Sequence, residues 1–413
     1  MKKTLYISKS RVFCFFLLLL SVQYAFASLP EEALQSFISS GSLNPSATTV
    51  YVWDLDADYC VAEYNEESPI IPASVMKCVT TAALANVLPY TSTLNTEVYL
   101  KGRQSGESFN GVLLVKGAGD PSLEDNLHKN HPSFINLIVK ALSEKGIKNF
   151  TGEIEIDNTL FAGPETPASW QDGDRQTYYG TGCHAFNFER NASGKKSVKY
   201  PDEVFKKKLK NALTENHISF NISEESLQQY KKSKPTLLLR YQSPILANLM
   251  RSCIYRSDNL YAEAFMRLFG LQNGADGSPD LSSKMMMQHW DALNFPLEGV
   301  EIVDGSGLSR NNRLTAEFLG LILRYKKDDP EYVSLFPLVG EEGTVKGFMA
   351  DTHLKGKLAL KTGSMNGIQS YAGYLLDGDY MPTHVVVVMT NDLKNRTQYR
   401  NDLSKFFCAL FPD

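Results

Sequence analysis

Eight residues near the C-terminus, THVVVVMT (Thr383–Thr390), constrain the fold of this chain more than any other stretch. Four consecutive valines are stiff at χ1 and favour extended backbone, so His384–Thr390 is predicted to be the most apolar strand of the protein. Lys357–Lys361 and Gln369–Leu376 precede it as further strands, and Lys394–Phe411 follows as an amphipathic helix. At the other end, Thr48–Leu55 and Tyr59–Tyr64 predict a hairpin around Asp56-Ala-Asp58, both arms being rich in β-formers. Between these ends, helical periodicity marks the stretch from Pro72, Pro244–Phe269 and Thr315–Tyr325. From about Ser92 the texture changes to short strands (Thr96–Leu100, Val112–Val115), a helix at Pro132–Lys145 and a strand at Gly152–Ile156. Strands at both termini with helices between them predict an α+β fold. Its sheet is built from the two ends of the chain, with an insertion near residues 92–238 and no internal repeats.

The first residues stand apart. Lys2, Lys3, Lys9 and Arg11 lead into the apolar run Val12–Val22, and Ala25-Phe-Ala27 closes it with a small-x-small pattern. This is the pattern of a secretory signal peptide cleaved after Ala27. Its apolar core is short of the roughly 20 residues that a membrane span needs, and Cys14 lies inside that core rather than at a lipobox-like end. The expectation is an exported, periplasmic protein with no stable membrane anchor. Cleavage would turn 42 basic and 46 acidic residues into 38 and 46, a net charge of −8. Such a chain lacks the basic face that nucleic-acid binding requires. At 413 residues, 43% apolar and 21% charged, it has the size and composition of a globular protein of two or three domains.

Five cysteines follow the leader: Cys60, Cys78, Cys183, Cys253 and Cys408. They are scattered, with no C-x-x-C pair, which argues against zinc and dithiol redox sites. Export permits disulfides, but the odd count leaves at least one thiol without an internal partner. Cys78 and Cys253 sit in apolar helical patterns and are expected to be buried thiols, and His128-x-x-His131 reads as loop surface.

In PASVMKCVTTAALA (Pro72–Ala85), Lys77 follows Ser74 by three residues, on an otherwise apolar helix. Residues i and i+3 share a face, so a hydroxyl and an amine come within reach of each other. Spacing alone decides nothing, because Ser193-Gly-Lys-Lys196 also fits S-x-x-K in a polar run. Two further motifs turn the argument: Ser257-Asp-Asn259 where a helix begins, and Lys361-Thr-Gly363 at a strand end. The ordered trio is the signature of penicillin-binding proteins and class A β-lactamases. Its residue types suit acyl transfer. Ser74 is a weak nucleophile until a base takes its proton, and Lys77 can do so only when neutral. Burial and a second cation, Lys361, would both lower the Lys77 pKa. Ser257 would relay a proton toward the leaving amine, while Asn259 orients Lys77 and a substrate amide. Lys361 and Thr362 would hold a substrate carboxylate, and Gly363 would let the strand approach the substrate. The backbone N–H groups of Ser74 and Ser364 are the candidate oxyanion donors.

On these motifs the chain resembles the exported D-alanyl-D-alanine carboxypeptidases/endopeptidases of the penicillin-binding protein 4 type, peptidase family S13. KGAGDPSL (Lys116–Leu123), IEIDNTLF (Ile154–Phe161) with Trp170, DGSGLSRNN (Asp304–Asn312), PLVGEEGTV (Pro337–Val345) and KTGSMNGIQSYAGYL (Lys361–Leu375) follow in family order across nearly the whole mature chain. The resemblance implies a penicillin-binding/β-lactamase-like transpeptidase domain, residues 28–91 and 239–413, with an antiparallel sheet flanked by helices and a helical subdomain. A smaller α/β domain, residues 92–238, would be inserted in it. It implies acylation of Ser74 by peptidoglycan stem peptides, covalent inhibition by β-lactams, and no metal or organic cofactor. It further places Asp120 and Arg310 against the charged side chain of a meso-diaminopimelate-type stem peptide, and Asn366, a further substrate-binding candidate, stands where related enzymes can carry glutamine. Only about ten residues separate HAFNFERN (His184–Asn191) from a helix at Asp202–Leu213, so the family's third domain is expected to be absent or reduced. Two other readings stay open at this point: a serine β-lactamase, and a non-catalytic peptidoglycan- or β-lactam-binding protein on the same scaffold.

Overall fold

The computed structural model describes residues 29–413, so the signal-peptide expectation lies outside the described residues. Two five-stranded sheets organise them. The first is antiparallel, in the order β10 (Leu358–Met365), β11 (Ile368–Leu376), β12 (Pro382–Thr390), β1 (Thr48–Asp54), β2 (Tyr59–Tyr64). The two ends of the chain meet at its middle, with Thr48 opposite Thr390 and Asp54 opposite His384.

The valine run explains itself there. Val385, Val387 and Met389 point into one core, with the helices Met76–Val87, Leu246–Arg256, Asn259–Gln272, Pro279–Ala292 and Ala316–Tyr325 packed over it. Val386 and Val388 point into a second core on the opposite face, closed by a helix over 29–38 and by Arg396–Leu410. A strand buried on both faces has no polar side to alternate.

The second sheet is mixed, in the order β8 (Ser219–Ile222), β5 (Asn149–Asp157), β4 (Ser108–Lys116), β3 (Asn95–Ser105), β9 (Thr236–Gln242). β4 pairs parallel to β5 and β5 parallel to β8, while β3 is antiparallel to both of its neighbours. Its own core rests on the helices Phe134–Glu144 and Pro201–Glu215. β3 and β4 run well past the short strands expected of them, because their polar outer ends keep pairing up to the turn at Gly106. Between Asn191 and Pro201 the chain forms only a two-residue ribbon, β6 (Ala192–Ser193) with β7 (Lys196–Ser197).

A further expected element differs. The helical stretch Pro244–Phe269 is two helices, broken at Ser257, which adopts left-handed backbone (φ 58°, ψ 42°). Asp258 then caps the second helix, its side chain accepting from the Tyr261 N–H. A left-handed residue followed by an Asp cap stops one helix and starts another within two residues.

Candidate active site

Ser74 lies in a turn of 3₁₀ helix, Ala73–Val75, that opens the helix Met76–Val87. Its neighbours Val75, Met76, Cys78 and Val79 are wholly buried, and so is Lys77. Apolar residues on every side of this helix place it inside the core, so Lys77 has no path along which to snorkel to water.

Lys77 sits instead in a socket of oxygen atoms. Its Nζ donates to Ser74 Oγ at 3.0 Å, to Asn259 Oδ1 at 2.7 Å and to the Ser306 carbonyl at 2.6 Å. The Ser306 loop is itself pinned. Thr80 Oγ1 donates to the Gly305 carbonyl at 2.7 Å, and the Ser306 N–H donates to Glu263 Oε1 at 2.9 Å. Asp304 accepts from the N–H groups of Gly307 (2.7 Å) and Ser309 (2.6 Å), from Asn312 Nδ2 (2.8 Å) and from Trp170 Nε1 (2.7 Å). Gly307 is required here: its φ is +80°, and a Cβ would stand 1.9 Å from the Ala73 carbonyl oxygen.

Burial pushes the Lys77 amine below its ordinary value, against the opposing pull of the Asp304 and Asp258 carboxylates. Burial, one of the two causes expected from the sequence, is the leading one. The mutual repulsion of the two lysines is felt on the other partner: Lys361, wholly buried, is lowered to about 7, first by burial and then by the Lys77 charge. Lowering a lysine pKa favours the neutral amine, the form that can accept a proton from the hydroxyl beside it.

Lys361 on β10 brings in the third motif. Its Nζ donates to Ser257 Oγ at 2.9 Å and to the Thr362 carbonyl at 2.5 Å. The helix break at Ser257 is what turns that hydroxyl toward β10, and the next helix begins with Asn259, whose amide donates to the Tyr179 carbonyl at 2.8 Å. Thr362 Oγ1 donates to Thr344 Oγ1 at 2.8 Å. At Gly363 a Cβ would stand 2.6 Å from the Pro72 carbonyl oxygen and 3.1 Å from the Ser74 nitrogen, so only glycine lets β10 lie this close to the nucleophile turn. The structure thus brings Ser74, Lys77, Ser257, Asn259 and Lys361 into two adjoining hydrogen-bonded groups.

Ser74, Ser257, Asn259 and Ser364 open on a cleft of about 530 Å³, and Arg310 and Asn366 line it as well. Asp120 does not. It is completely buried in the turn after β4, where its Oδ1 accepts from the N–H (2.8 Å) and Oγ (2.6 Å) of Ser122, and burial pushes it up to about 6. Its Asp-Pro-Ser context makes it a turn carboxylate without access to a cleft ligand. The acids that line the cleft are Asp258, paired with Arg190, and Asp174, which accepts from Tyr179 Oη at 3.1 Å and sits in the short helix Asp172–Arg175. The sequence reading missed Asp174 because residues 171–180 are polar and carry no periodicity. The anchoring of Trp170 by Asp304 is what sets that segment against the cleft. Glu263 and the Ser306 carbonyl were missed as well. A larger, apolar cavity of about 600 Å³ beside Phe336, Ala359 and Leu376 is lined by none of Ser74, Lys77, Ser257, Asn259 and Lys361.

His128 and His131 are half-buried loop residues, within reach of Ser252 Oγ (3.3 Å) and the Gln242 carbonyl (2.7 Å) respectively, rather than free surface. Among the described residues no cluster of His, Cys, Asp and Glu is suited to a metal ion, and no helix is long and apolar enough to cross a membrane. All five described cysteines are unpaired. Burial pushes the thiols of Cys78 and Cys253 up to about 12, so they are inert core residues behind the lysines.

A model of the D-Ala-D-Ala carboxypeptidase 3 (S13) family matches residues 31–196 and 190–406. The chain is 24% identical over 369 residues to carboxypeptidase DacB of Mycolicibacterium smegmatis, covering 84% of this chain and 77% of that one. The crystal structure of penicillin-binding protein 4 from Haemophilus influenzae is similar with a TM-score of 0.75 at 17% identity, over 91% of this chain and 97% of that one. The same Haemophilus protein complexed with a novel β-lactam is similar with a TM-score of 0.70 at 18% identity, over 92% and 99%.

Proposed function

Because this chain belongs to the D-Ala-D-Ala carboxypeptidase 3 (S13) family and is a serine-type DD-peptidase, we propose that Ser74 is the residue it acylates and that peptidoglycan stem peptides are the acyl donors. Lys77 takes the Ser74 proton as Oγ attacks the carbonyl of the penultimate D-alanine, and the N–H groups of Ser74 and Ser364 receive the developing oxyanion. One such donor is typically worth about 2.7–4 kcal/mol of transition-state stabilisation. Ser257, bonded to Lys361, passes a proton to the departing amine. Lys361 and Thr362 hold the terminal carboxylate, and Asn259 holds a substrate amide. Water then releases the acyl group.

Asp174 and Arg310, of opposite charge and both lining the cleft, suit a third stem residue whose side chain carries both an amine and a carboxylate. Asn366 supplies an amide beside them. Residues 28–91 and 239–413 form the catalytic domain and 92–238 the insertion. The chain works outside the cytoplasmic membrane after loss of residues 1–27. β-Lactams, one of which binds the Haemophilus relative, acylate the same serine.

The observation that carries this reading is a buried lysine, lowered in pKa, at 3.0 Å from Ser74 Oγ. Intact-protein mass after exposure to a penicillin tests it. A persistent one-equivalent adduct in the wild type, lost in Ser74→Ala, is expected. Folded wild type that forms no adduct and leaves the drug intact would return the chain to a binding role, and rapid turnover of the drug would make it a β-lactamase.

A further inference from the structure

The helix Asn259–Gln272 buries a carboxyl group that the reaction above does not use. Glu263 is 1% exposed, one turn beyond Asn259. Its Oε1 takes the Ser306 N–H at 2.9 Å. The neighbouring guanidinium of Arg267 donates instead to the carbonyls of Ala162, Gly277 and Pro164.

The two peptide groups that flank Ser306 are each held at both ends. Group 305–306 has its N–H on Glu263 and its carbonyl on Thr80 Oγ1. Group 306–307 has its N–H on Asp304 and its carbonyl on Lys77 Nζ. Only the φ and ψ of Ser306 separate the two groups, so holding the first at Glu263 and Thr80, with the Gly307 N–H on Asp304, leaves the Ser306 carbonyl little freedom to turn.

Resting on the reading of Lys77 as the proton acceptor, we propose that Glu263 is a positioning residue for acylation: it clamps the Ser306 backbone so that the carbonyl of Ser306 is aimed at the Lys77 amine. That carbonyl accepts from the ammonium formed when Lys77 takes the serine proton, and it keeps the amine turned toward Ser74. The groups facing Glu263 are Arg267 on its own helix, Asp304 and Ser306 on the loop, and Lys77 on the nucleophile helix. Burial and Asp304 push its carboxyl up to about 8. Near neutral pH it therefore serves as a neutral acceptor, a part that a glutamine oxygen can also play.

The experiment follows acylation by a penicillin as a function of pH in full-length Glu263→Gln and Glu263→Leu. Glu263→Gln is expected to stay within a fewfold of wild type at pH 7, with the same acid limb. Glu263→Leu frees the loop and is expected to lose roughly tenfold or more, the scale of a small misplacement of a reacting group. Its acid limb should move to lower pH, since an ammonium that loses an acceptor gives up its proton more readily. Loss of rate in Glu263→Leu with an unmoved limb, unchanged behaviour of that variant, or an equal loss in Glu263→Gln would each overturn the proposal. Should Glu263→Leu not fold, Thr80→Val releases the same peptide group from its other end and must shift the limb the same way. Lys77→Met serves as the control: acylation at the wild-type rate there would sink the assignment of Lys77 itself, whatever the Glu263 variants do.

Discussion

Lys361 carries its charge only under part of the working pH range. Its folded pKa, about 7, lies below the ordinary 10.5. The amine is therefore charged below pH 7 and neutral above it. For a peptide ending in a free carboxylate, KM should rise as pH climbs through about 7, approaching tenfold per unit on the alkaline side, while a peptide ending in an amide should show no such rise. Steady-state KM for the matched pair checks this, and parallel profiles would remove Lys361 from carboxylate binding. The same shift has a stability consequence of known sign. Between pH 7 and 10.5 the unfolded chain holds a proton here that the native chain has lost, so this group's contribution to stability grows with pH across that window. At this scale the sequence was informative wherever a motif has fixed local spacing. Ser74 and Lys77 share a helical turn, and Ser257 and Asn259 bracket a helix start. Glu263 lay hidden because its function depends on a backbone N–H some forty residues away, and Asp120 entered through the family resemblance, although its Asp-Pro-Ser context reads as a turn.

Between the helices Leu246–Arg256 and Asn259–Gln272, the backbone at Ser257 shows a conflict between stability and chemistry. A non-glycine residue in left-handed conformation costs roughly 1–2 kcal/mol, part of which glycine would recover. Ser257→Gly should therefore leave thermal stability unchanged or raise it slightly, while turnover of stem peptides falls by about 10²-fold or more through loss of the proton relay. A thermal melt and a D-alanine release assay on the one variant decide it, and retained turnover would show that the hydroxyl is dispensable. The motif marked a helix entry at Ser257-Asp-Asn259, but hydrophobic period by itself cannot register the break. Ile254 and Tyr261 are both buried and seven residues apart, two full turns of an uninterrupted helix. The strands were far easier, since β12 declares itself by composition alone, although the reason it does so, a core on each face, is visible only in the assembled sheet.

Over the whole molecule, the bond from Trp170 to Asp304 joins the polar segment on the cleft wall to the loop that holds Lys77. Trp170→Phe keeps most of the buried area but removes one of the four donors on a buried carboxylate. It should lower stability by about 1–3 kcal/mol and slow acylation without touching any reacting atom. Denaturant unfolding together with the penicillin acylation rate tests it, and a destabilised variant with wild-type acylation would confine Trp170 to a packing role. The α+β class and the sheet of joined termini were readable from patterning, whereas the mixed order β8-β5-β4-β3-β9 depends on long-range pairing that periodicity does not encode. The pairing of β1 with β12 also sets a timetable for the newborn chain. Thr48 must wait for Thr390, and Lys361 is supplied by a strand stitched into that same sheet. A chain in which the segments of Ser74, Lys77, Ser257 and Asn259 already stand in place still lacks Lys361. Contacts this distant in sequence form slowly, so the five groups converge only when the last strand joins the sheet.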